Sequence, residues 1–278
     1  MRTLVVHSGG IGDFLLACPA IKRLYEDGPV ELLGRPDRLS LAVAGGIAEA
    51  AHDINTVGFE TLFAEPSPSL LNFLERYDRC IVWMRDDGAI ARGLLLCGVP
   101  QAYVYPGLPP DEWAQHASQY YLDCLGLGDA PPLRLDIRPV RSERDIVIHP
   151  GSGGKSKNWP LECFLAVADL LERGGRSIAY CLGPAEESLV VPESATLLRA
   201  ESVLELAHEL AAARLYIGND SGITHLAAAV GCPTVAIFGP TDPSRWAPLG
   251  DHVRVVQGAP WPDADTVLRT ACAITGVF

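Results

Sequence analysis

The chain has 278 residues, enough for two domains that each bury a core. A hydrophobic fraction of 48% and a charged fraction of 20% exclude a disordered chain. The net charge of −12 argues against general nucleic-acid binding and against docking on an anionic membrane through a broad basic surface.

The eight cysteines form no C-x-x-C pair, and most lie in apolar runs. This pattern predicts buried free thiols in a reducing cytoplasm rather than disulfides or zinc ligands. The N-terminus enters a strand without an apolar signal segment, and no apolar run reaches the ~18 residues of a membrane span. We therefore expect a soluble, cytoplasmic protein.

Strand-like and helix-like runs alternate from the N-terminus. Residues 4–6 predict a strand that passes through a glycine turn, residues 9–13, into an apolar helix. Pro19 marks either a kink or the true start of that helix. Residues 42–74 carry no pattern that we assign. The other strands predicted in this half are 30–33, 79–84 and 102–105.

Residues 126–144 are rich in Gly, Pro and charge, so we predict domains at 1–140 and 141–278. Packing of the last helix on the first domain stays open as an alternative to its packing on the second. The second half predicts strands at 145–149, 177–182, 215–217 and 234–238, a helix closed by Gly174, and a helix with a capping box from Ser202 to Glu205.

The two halves begin alike, because Leu4–Gly10 resembles Ile146–Gly154 in having a strand, a His and a glycine turn. Alternating elements predict an α/β fold of parallel sheets covered by helices on both faces. We therefore predict two Rossmann-like halves, with ligands at the carboxyl ends of the strands. Facing halves would enclose a cleft between them.

The stretch Tyr216 to His225 predicts a strand, a tight polar turn and a helix start, a place that attracts phosphate. Asp220 can accept hydrogen bonds from backbone N–H groups or from a ribose. The N–H groups of Ser221 and Gly222 can donate hydrogen bonds to a phosphate. His225 lies on the same side as the turn. A lone His is more often a satisfied, partly buried residue, and only the adjacent turn favours a binding role.

The loop from Gly151 to Pro160 carries two of the three lysines of the chain, Lys155 and Lys157. Glycine lets backbone approach a ligand closely, and an ammonium supplies a point charge for phosphate. The alternative is a solvated surface turn with incidental lysines. The P-loop pattern is not matched.

Asp13 follows the first glycine turn at a helix start. It can be a helix cap or a general base that faces the cleft, and spacing alone does not separate these roles. Gly9, Gly10 and Gly12 are unnecessary for capping, which favours the base. His7 and His149 end buried strands, and we assign them structural roles.

Three motifs together resemble the ADP-heptose:lipopolysaccharide heptosyltransferases, glycosyltransferase family 9. They are Ser8–Leu24, His149–Pro160, and Gly218–Ala229 with Phe238–Trp246. The resemblance implies a GT-B fold and an inverting, metal-independent transfer of a sugar from a nucleotide-diphosphate donor. It implies that Asp13 is the general base and that Ser152 and Lys157 hold the diphosphate.

The resemblance further implies that Glu186 binds the ribose. It places Asp220, Ser221, Gly222 and His225 around the donor phosphates and sugar, with Ser221 where the family often has Thr. Two partners are implied. One is a nucleotide-sugar donor, namely an ADP-linked heptose, and the other is a glycan or lipopolysaccharide-type acceptor. No cofactor, metal or partner protein is implied, and a weak peripheral contact with the inner membrane stays open.

Two alternatives remain at this point. The first is a nucleotide-sugar binding protein without transferase activity, motivated by the acidic N-terminal half, where residues 1–140 hold 11 Lys and Arg against 18 Asp and Glu. The Gly12-Asp13 pair argues against it, because a pure binder needs no base there. The second is a GT-B epimerase, which would need further acids in the cleft.

Overall fold

The computed structural model describes residues 1–140, 145–183 and 189–275, and the chain divides into two compact units, Met1–Pro131 and Pro132–Phe278. The segment 132–140 belongs to the second unit, where the N–H of Leu135 donates to the carbonyl of Ala229 at 2.9 Å. Glu186, predicted to bind the ribose, lies outside the described residues.

The N-terminal unit is built on a five-stranded parallel sheet in the order β3-β2-β1-β4-β5. Its strands are β1 Thr3–His7, β2 Val30–Gly34, β3 Ala50–Asp53, β4 Arg79–Trp83 and β5 Gln101–Tyr105. Its helices are α1 Ile11–Glu26, α2 Pro36–Ala44, α3 Pro68–Leu74, α4 Ala89–Leu96 and α5 Ala117–Asp123, with a 3-10 turn at Phe59–Phe63.

Pro19 lies inside α1, so the reading of Pro19 as the helix start is wrong. A proline in a helix interior removes one backbone hydrogen bond. Here the helix continues because its apolar face is buried on both sides of the proline, from Phe14 and Leu15 to Ile21 and Leu24.

The C-terminal unit holds a six-stranded parallel sheet in the order β11-β10-β9-β6-β7-β8 among its described residues. The strands are β6 Ile146–His149, β7 Ile178–Cys181, β8 Thr196–Leu198, β9 Leu215–Asn219, β10 Thr234–Phe238 and β11 Val253–Gln257. The helices are α6 Leu161–Arg173, α7 Val203–Ala212, α8 Gly222–Ala229, α9 Pro243–Trp246 and α10 Ala264–Thr275, with a 3-10 turn at Lys155–Lys157.

The sheet orders confirm two Rossmann-like units. Counted from β6, the second sheet has the doubly wound order 3-2-1-4-5-6, and the first sheet has the same order without its last strand. The strands β1 and β6 are therefore equivalent, which explains why both end in a His followed by a glycine turn.

Each sheet reverses its direction of winding beside its first strand, between β1 and β4 in one unit and between β6 and β9 in the other. Ligands of doubly wound sheets bind at the carboxyl ends of the strands at this reversal. The loops that follow β1, β6 and β9 are the three that the sequence motifs single out.

As predicted, none of the eight cysteines, all of which lie in the described ranges, forms a disulfide, and six are buried. Across residues 1–140, 145–183 and 189–275, no helix has the length and apolar character needed to cross a membrane. Within the same ranges, no group of three or more His, Cys, Asp or Glu side chains could hold a metal ion.

Candidate functional site

The loop after β6 is closed by its own serine. Ser152 Oγ lies 2.7 Å from the carbonyl of Gly154 and 2.6 Å from Oδ1 of Asn158, and it accepts the N–H of Gly154 at 3.2 Å. A hydroxyl has one proton, so the two oxygens share it as acceptors, while one lone pair accepts the N–H of Gly154. Ser152 therefore shapes the loop that carries the two lysines.

Lys157 and Asp220 form an ion pair, with Nζ 2.8 Å from Oδ2. The lysine side chain is 39% exposed, whereas the aspartate is only 7% exposed. The structure thus joins the loop after β6 to the turn after β9. The Asp220 carboxylate orients the ammonium, and the exposed part of Lys157 remains accessible to an anion.

Asn219 fixes the relative position of the loop and the turn. Its side chain is fully buried, accepts the N–H of Trp159 at 2.9 Å, and donates from Nδ2 to the carbonyl of Pro150 at 2.8 Å. Removing a buried amide that satisfies backbone groups of a neighbouring segment lowers the free energy of unfolding, because those groups lose their partner. The role of Asn219 was not predicted from the sequence, although a polar residue at the end of an apolar strand is a usable signal.

Helix α8 begins immediately after this turn. Ser221 is its N-cap and accepts the N–H of Thr224 at 3.3 Å, and Thr224 Oγ1 donates to the carbonyl of Asn219. The N–H groups of Gly222 and Ile223 donate to no atom within the described part of the chain, and both residues are partly exposed. Free N–H groups at the positive end of a helix bind anions.

The two histidines of this region are both buried. His225 lies in the first turn of α8 and is 8% exposed. His149 ends β6, with Nδ1 3.5 Å from the hydroxyl of Ser221. His149 thus connects the first strand of the unit to the N-cap of α8, which is more specific than the structural role that the sequence suggested.

In the N-terminal unit, Asp13 stands at the third position of α1. Its Oδ2 accepts the N–H of Gly10 at 3.0 Å, as a helix cap does. Its Oδ1 accepts no hydrogen bond from the residues that the structure describes, and the side chain is partly exposed. The carboxylate therefore has one oxygen that caps the helix and one that a ligand hydroxyl can reach.

The glycine turn leaves room for this carboxylate. A Cβ on Gly9 would lie 2.8 Å from Cε1 of His7 and 3.1 Å from Cβ of Asp13, too close for any side chain. The guanidinium of Arg38, in α2, donates to the carbonyl of Gly9 and holds the turn from the other side. Arg38, which follows β2 at the same edge of the sheet, was not predicted from the sequence.

His7 is buried beneath the Asp13 turn at 2% exposure, packed near the rings of Phe14 and Tyr121. Its Nε2 has no hydrogen-bond partner in the described part of the protein. Burial, followed by the positive charge of Arg38, lowers the pKa of His7 from 6.5 to about 4. The imidazole is therefore neutral in the folded protein at neutral pH.

The buried His7 makes stability depend on pH. Between pH 6.5 and about 4 the unfolded chain binds a proton that the folded chain does not, so stability falls as the pH falls through this window. The full difference amounts to ~3 kcal/mol. We expect His7→Phe to remove this part of the slope when urea unfolding is measured at pH 7.0, 5.5 and 4.5; a slope equal to that of the wild type would contradict the assignment.

Two Rossmann-like units, each with a motif loop at its winding reversal, define the GT-B class of fold. The family model of glycosyltransferase family 9 (heptosyltransferase) matches residues 89–272, more than half of the chain. The chain belongs to glycosyltransferase family 9, which confirms the family that the three motifs resemble.

Curated relatives are similar over part of their length. Lipopolysaccharide heptosyltransferase 1 of Pseudomonas aeruginosa is 30% identical over 176 residues, which cover 61% of this chain and 45% of that protein. Lipopolysaccharide heptosyltransferase 3 of Escherichia coli is 31% identical over 155 residues, covering 52% and 41%. The matched part of the chain thus spans less than half the length of these relatives.

Solved structures share the fold. The ADP-heptose lipopolysaccharide heptosyltransferase II of E. coli superposes with a TM-score of 0.81 at 19% identity, covering 99% of this chain and 98% of that one. A family 9 glycosyl transferase from Veillonella parvula gives a TM-score of 0.79 at 17% identity, covering 99% and 97%. At these identities the likeness establishes the GT-B fold.

Proposed function

We propose that the chain is an inverting, metal-independent glycosyltransferase. It moves a heptose from an ADP-linked donor to a glycan or lipopolysaccharide-type acceptor in the cytoplasm. The observation that carries the proposal is a set of donors at the winding reversal of the second sheet. Lys157 pairs with Asp220, and the free N–H groups of Gly222 and Ile223 follow Asp220 in the same turn.

These groups suit a diphosphate. A lysine supplies one positive charge and three donors, and the start of α8 adds N–H groups at the positive end of the helix dipole. Family membership supports a nucleotide-sugar ligand, and two solved structures of similar fold are described as an E. coli heptosyltransferase with ADP and with ADP-2-deoxy-2-fluoro heptose.

The reaction is a single displacement at the anomeric carbon. Asp13 removes the proton of an acceptor hydroxyl as that oxygen attacks from the face opposite the diphosphate. The bond between the anomeric carbon and the diphosphate oxygen breaks, and its electron pair leaves with ADP. The configuration at the anomeric carbon is inverted, and Asp13 ends the step protonated.

Negative charge grows on the departing diphosphate. Lys157 and the N–H groups at the start of α8 are fixed before the reaction, so they stabilise this charge without reorganisation. Ser221 and His225 support the same helix start, and Glu186 keeps its predicted role toward the ribose. The proposed chemistry needs no metal, because these donors take the place of a divalent cation.

A binding protein without transferase activity is the second candidate, favoured by the excess of acidic residues in 1–140. One experiment separates the two. ADP-heptose is incubated with the protein, EDTA and a panel of glycolipid and oligosaccharide acceptors, and products are measured by mass spectrometry. Transfer in EDTA with inverted anomeric configuration is expected. Tight binding of ADP-heptose without transfer or hydrolysis on any acceptor would favour the binding protein.

A further inference from the structure

The N-terminal sheet ends at an uncovered strand. β5 is the last strand of its sheet, and no described strand pairs with its outer side. Its equivalent in the C-terminal sheet is β10, which β11 covers. Every residue of β10 is buried, whereas every residue of β5 is exposed or only partly buried. β5 is therefore an open sheet edge, which can pair with a strand of another chain.

The backbone groups at this edge are defined by the pairing with β4. The carbonyl of Tyr105 accepts the N–H of Met84 at 3.0 Å, so the backbone groups of Tyr105 face β4. Successive residues of a strand present their N–H and C=O groups to opposite sides. Ala102 and Val104 consequently present theirs to the outer side, while their side chains pack on the core of the sheet.

These outward groups match a second copy of the same strand. In an antiparallel register centred on Tyr103, Ala102 of one copy lies opposite Val104 of the other, and the two residues exchange both hydrogen bonds. All the outward backbone groups of both copies are then paired. A shift by two residues would place Ala102 opposite Pro106, which has no N–H, and Pro100 limits the other end in the same way.

The charge of the surface also favours a second copy. The chain has a net charge of −12, so two copies repel each other unless they meet through an uncharged surface. β5 contains no charged residue, and Tyr103 is 43% exposed. An exposed aromatic ring at the centre of an uncharged edge strand is a favourable cross-strand contact.

The end of α4, the helix that leads into β5, adds apolar surface. Leu95 and Leu96 are both exposed. Gly93 packs against the 3-10 turn, where a Cβ would lie 2.6 Å from Cγ of Leu62. Leu95 follows two residues later, about 200° around the helix, and so lies on the side away from that turn and toward the free edge.

The other edges of the two sheets are less suitable. Among the described strands, the edge strands β3 and β11 carry the charged residues Asp53 and Arg254, and β8 has only three residues. Charged residues on an edge strand oppose pairing with another chain. β5 is thus the edge strand that combines sufficient length with the absence of charge.

We propose that the chain forms a two-fold symmetric dimer in which the β5 strands of two copies pair antiparallel about Tyr103. The two Tyr103 rings face each other across the axis in a non-hydrogen-bonded pair, where opposite side chains are closest. Two short strands bury less than the ~1,200–2,000 Å² of a standard stable interface, so the dimer is reversible and depends on concentration. The contact uses none of the residues assigned to sugar transfer.

The test is sedimentation velocity on the full chain between about 5 and about 500 μM. The mass is expected to rise from 29.8 kDa toward twice that value. Tyr103→Asp and Tyr103→Arg should each weaken self-association by about tenfold or more, because like charges then oppose each other at the axis. An equimolar mixture of the two variants should restore the dimer, because opposite charges meet.

Two further variants control the experiment. Val255→Asp introduces the same charge at a 41% exposed position of the edge strand β11 and is expected to associate like the wild type. Val104→Pro removes an N–H that faces outward and leaves the hydrogen bonds to β4 in place. It is expected to weaken the dimer by about tenfold while circular dichroism stays unchanged.

Other outcomes overturn the proposal. A wild type that stays at 29.8 kDa over the whole range does not pair through β5. A dimer that Tyr103→Asp retains at full strength is formed by another surface. If the Asp and Arg variants remain monomeric when mixed, the two Tyr103 positions do not face each other and the register is wrong.

Discussion

Replacing Asp13 by Asn is expected to lower kcat of sugar transfer by about 10² to 10⁴-fold while ADP affinity stays within about twofold. The amide keeps the size of the carboxylate and an oxygen that can accept the N–H of Gly10, so the start of α1 is retained. It cannot take a proton from the acceptor hydroxyl. Steady-state kinetics and calorimetry on the same preparation provide both measurements.

Asp265→Asn is the matched control, because Asp265 stands in the first turn of α10 and is exposed. It is expected to leave kcat unchanged. Turnover of Asp13→Asn close to the wild-type value would remove Asp13 as the base. Circular dichroism measures the fraction of folded protein. If activity falls only in proportion to that fraction, Asp13 acts as a helix cap and not as the base.

Replacing Lys157 by Met is expected to weaken ADP binding by about 10 to 100-fold. A hydrogen bond to a charged group contributes ~1.5–3 kcal/mol, which corresponds to that range. The variant also leaves Asp220, 7% exposed, without its cation. Because this carboxylate is buried, its unpaired charge carries a desolvation cost, and we expect the stability of the free protein to fall by about 1–3 kcal/mol.

Lys155→Met is the control for this experiment. Lys155 lies in the same 3-10 turn, is exposed, and forms no ion pair with the described residues. Its replacement is expected to change ADP affinity by less than about threefold, because a solvated ammonium contributes little. Equal losses for the two variants would indicate a diffuse electrostatic effect of the loop and would remove the specific role of Lys157.

The elements with strong apolar runs could be predicted from the sequence, and the weak ones could not. The buried strands Thr3–His7 and Thr234–Phe238 follow from their Val, Ile and Leu content. By contrast β3 consists of two alanines, a His and an Asp and is only half buried, so it carries no strand pattern. The strand β8 is three residues long, too short for periodicity to show.

The parts of the site were predictable, but their arrangement was not. Lys157 and Asp220 are 63 residues apart, and each was recognised only as part of its own loop. Their contact depends on β9 pairing with β6 after two intervening strands, a long-range choice that local pattern does not encode. The same choice places Asn219 against Pro150 and explains why Asn219 was missed.

The most direct test of the central claim is a crystal structure of the protein with ADP. We predict phosphate oxygens within hydrogen-bond distance of Lys157 Nζ and of the N–H groups of Gly222 and Ile223, at the carboxyl ends of β6 and β9. ADP bound elsewhere, with these groups free, or a protein that binds no ADP at millimolar concentration, would contradict the account.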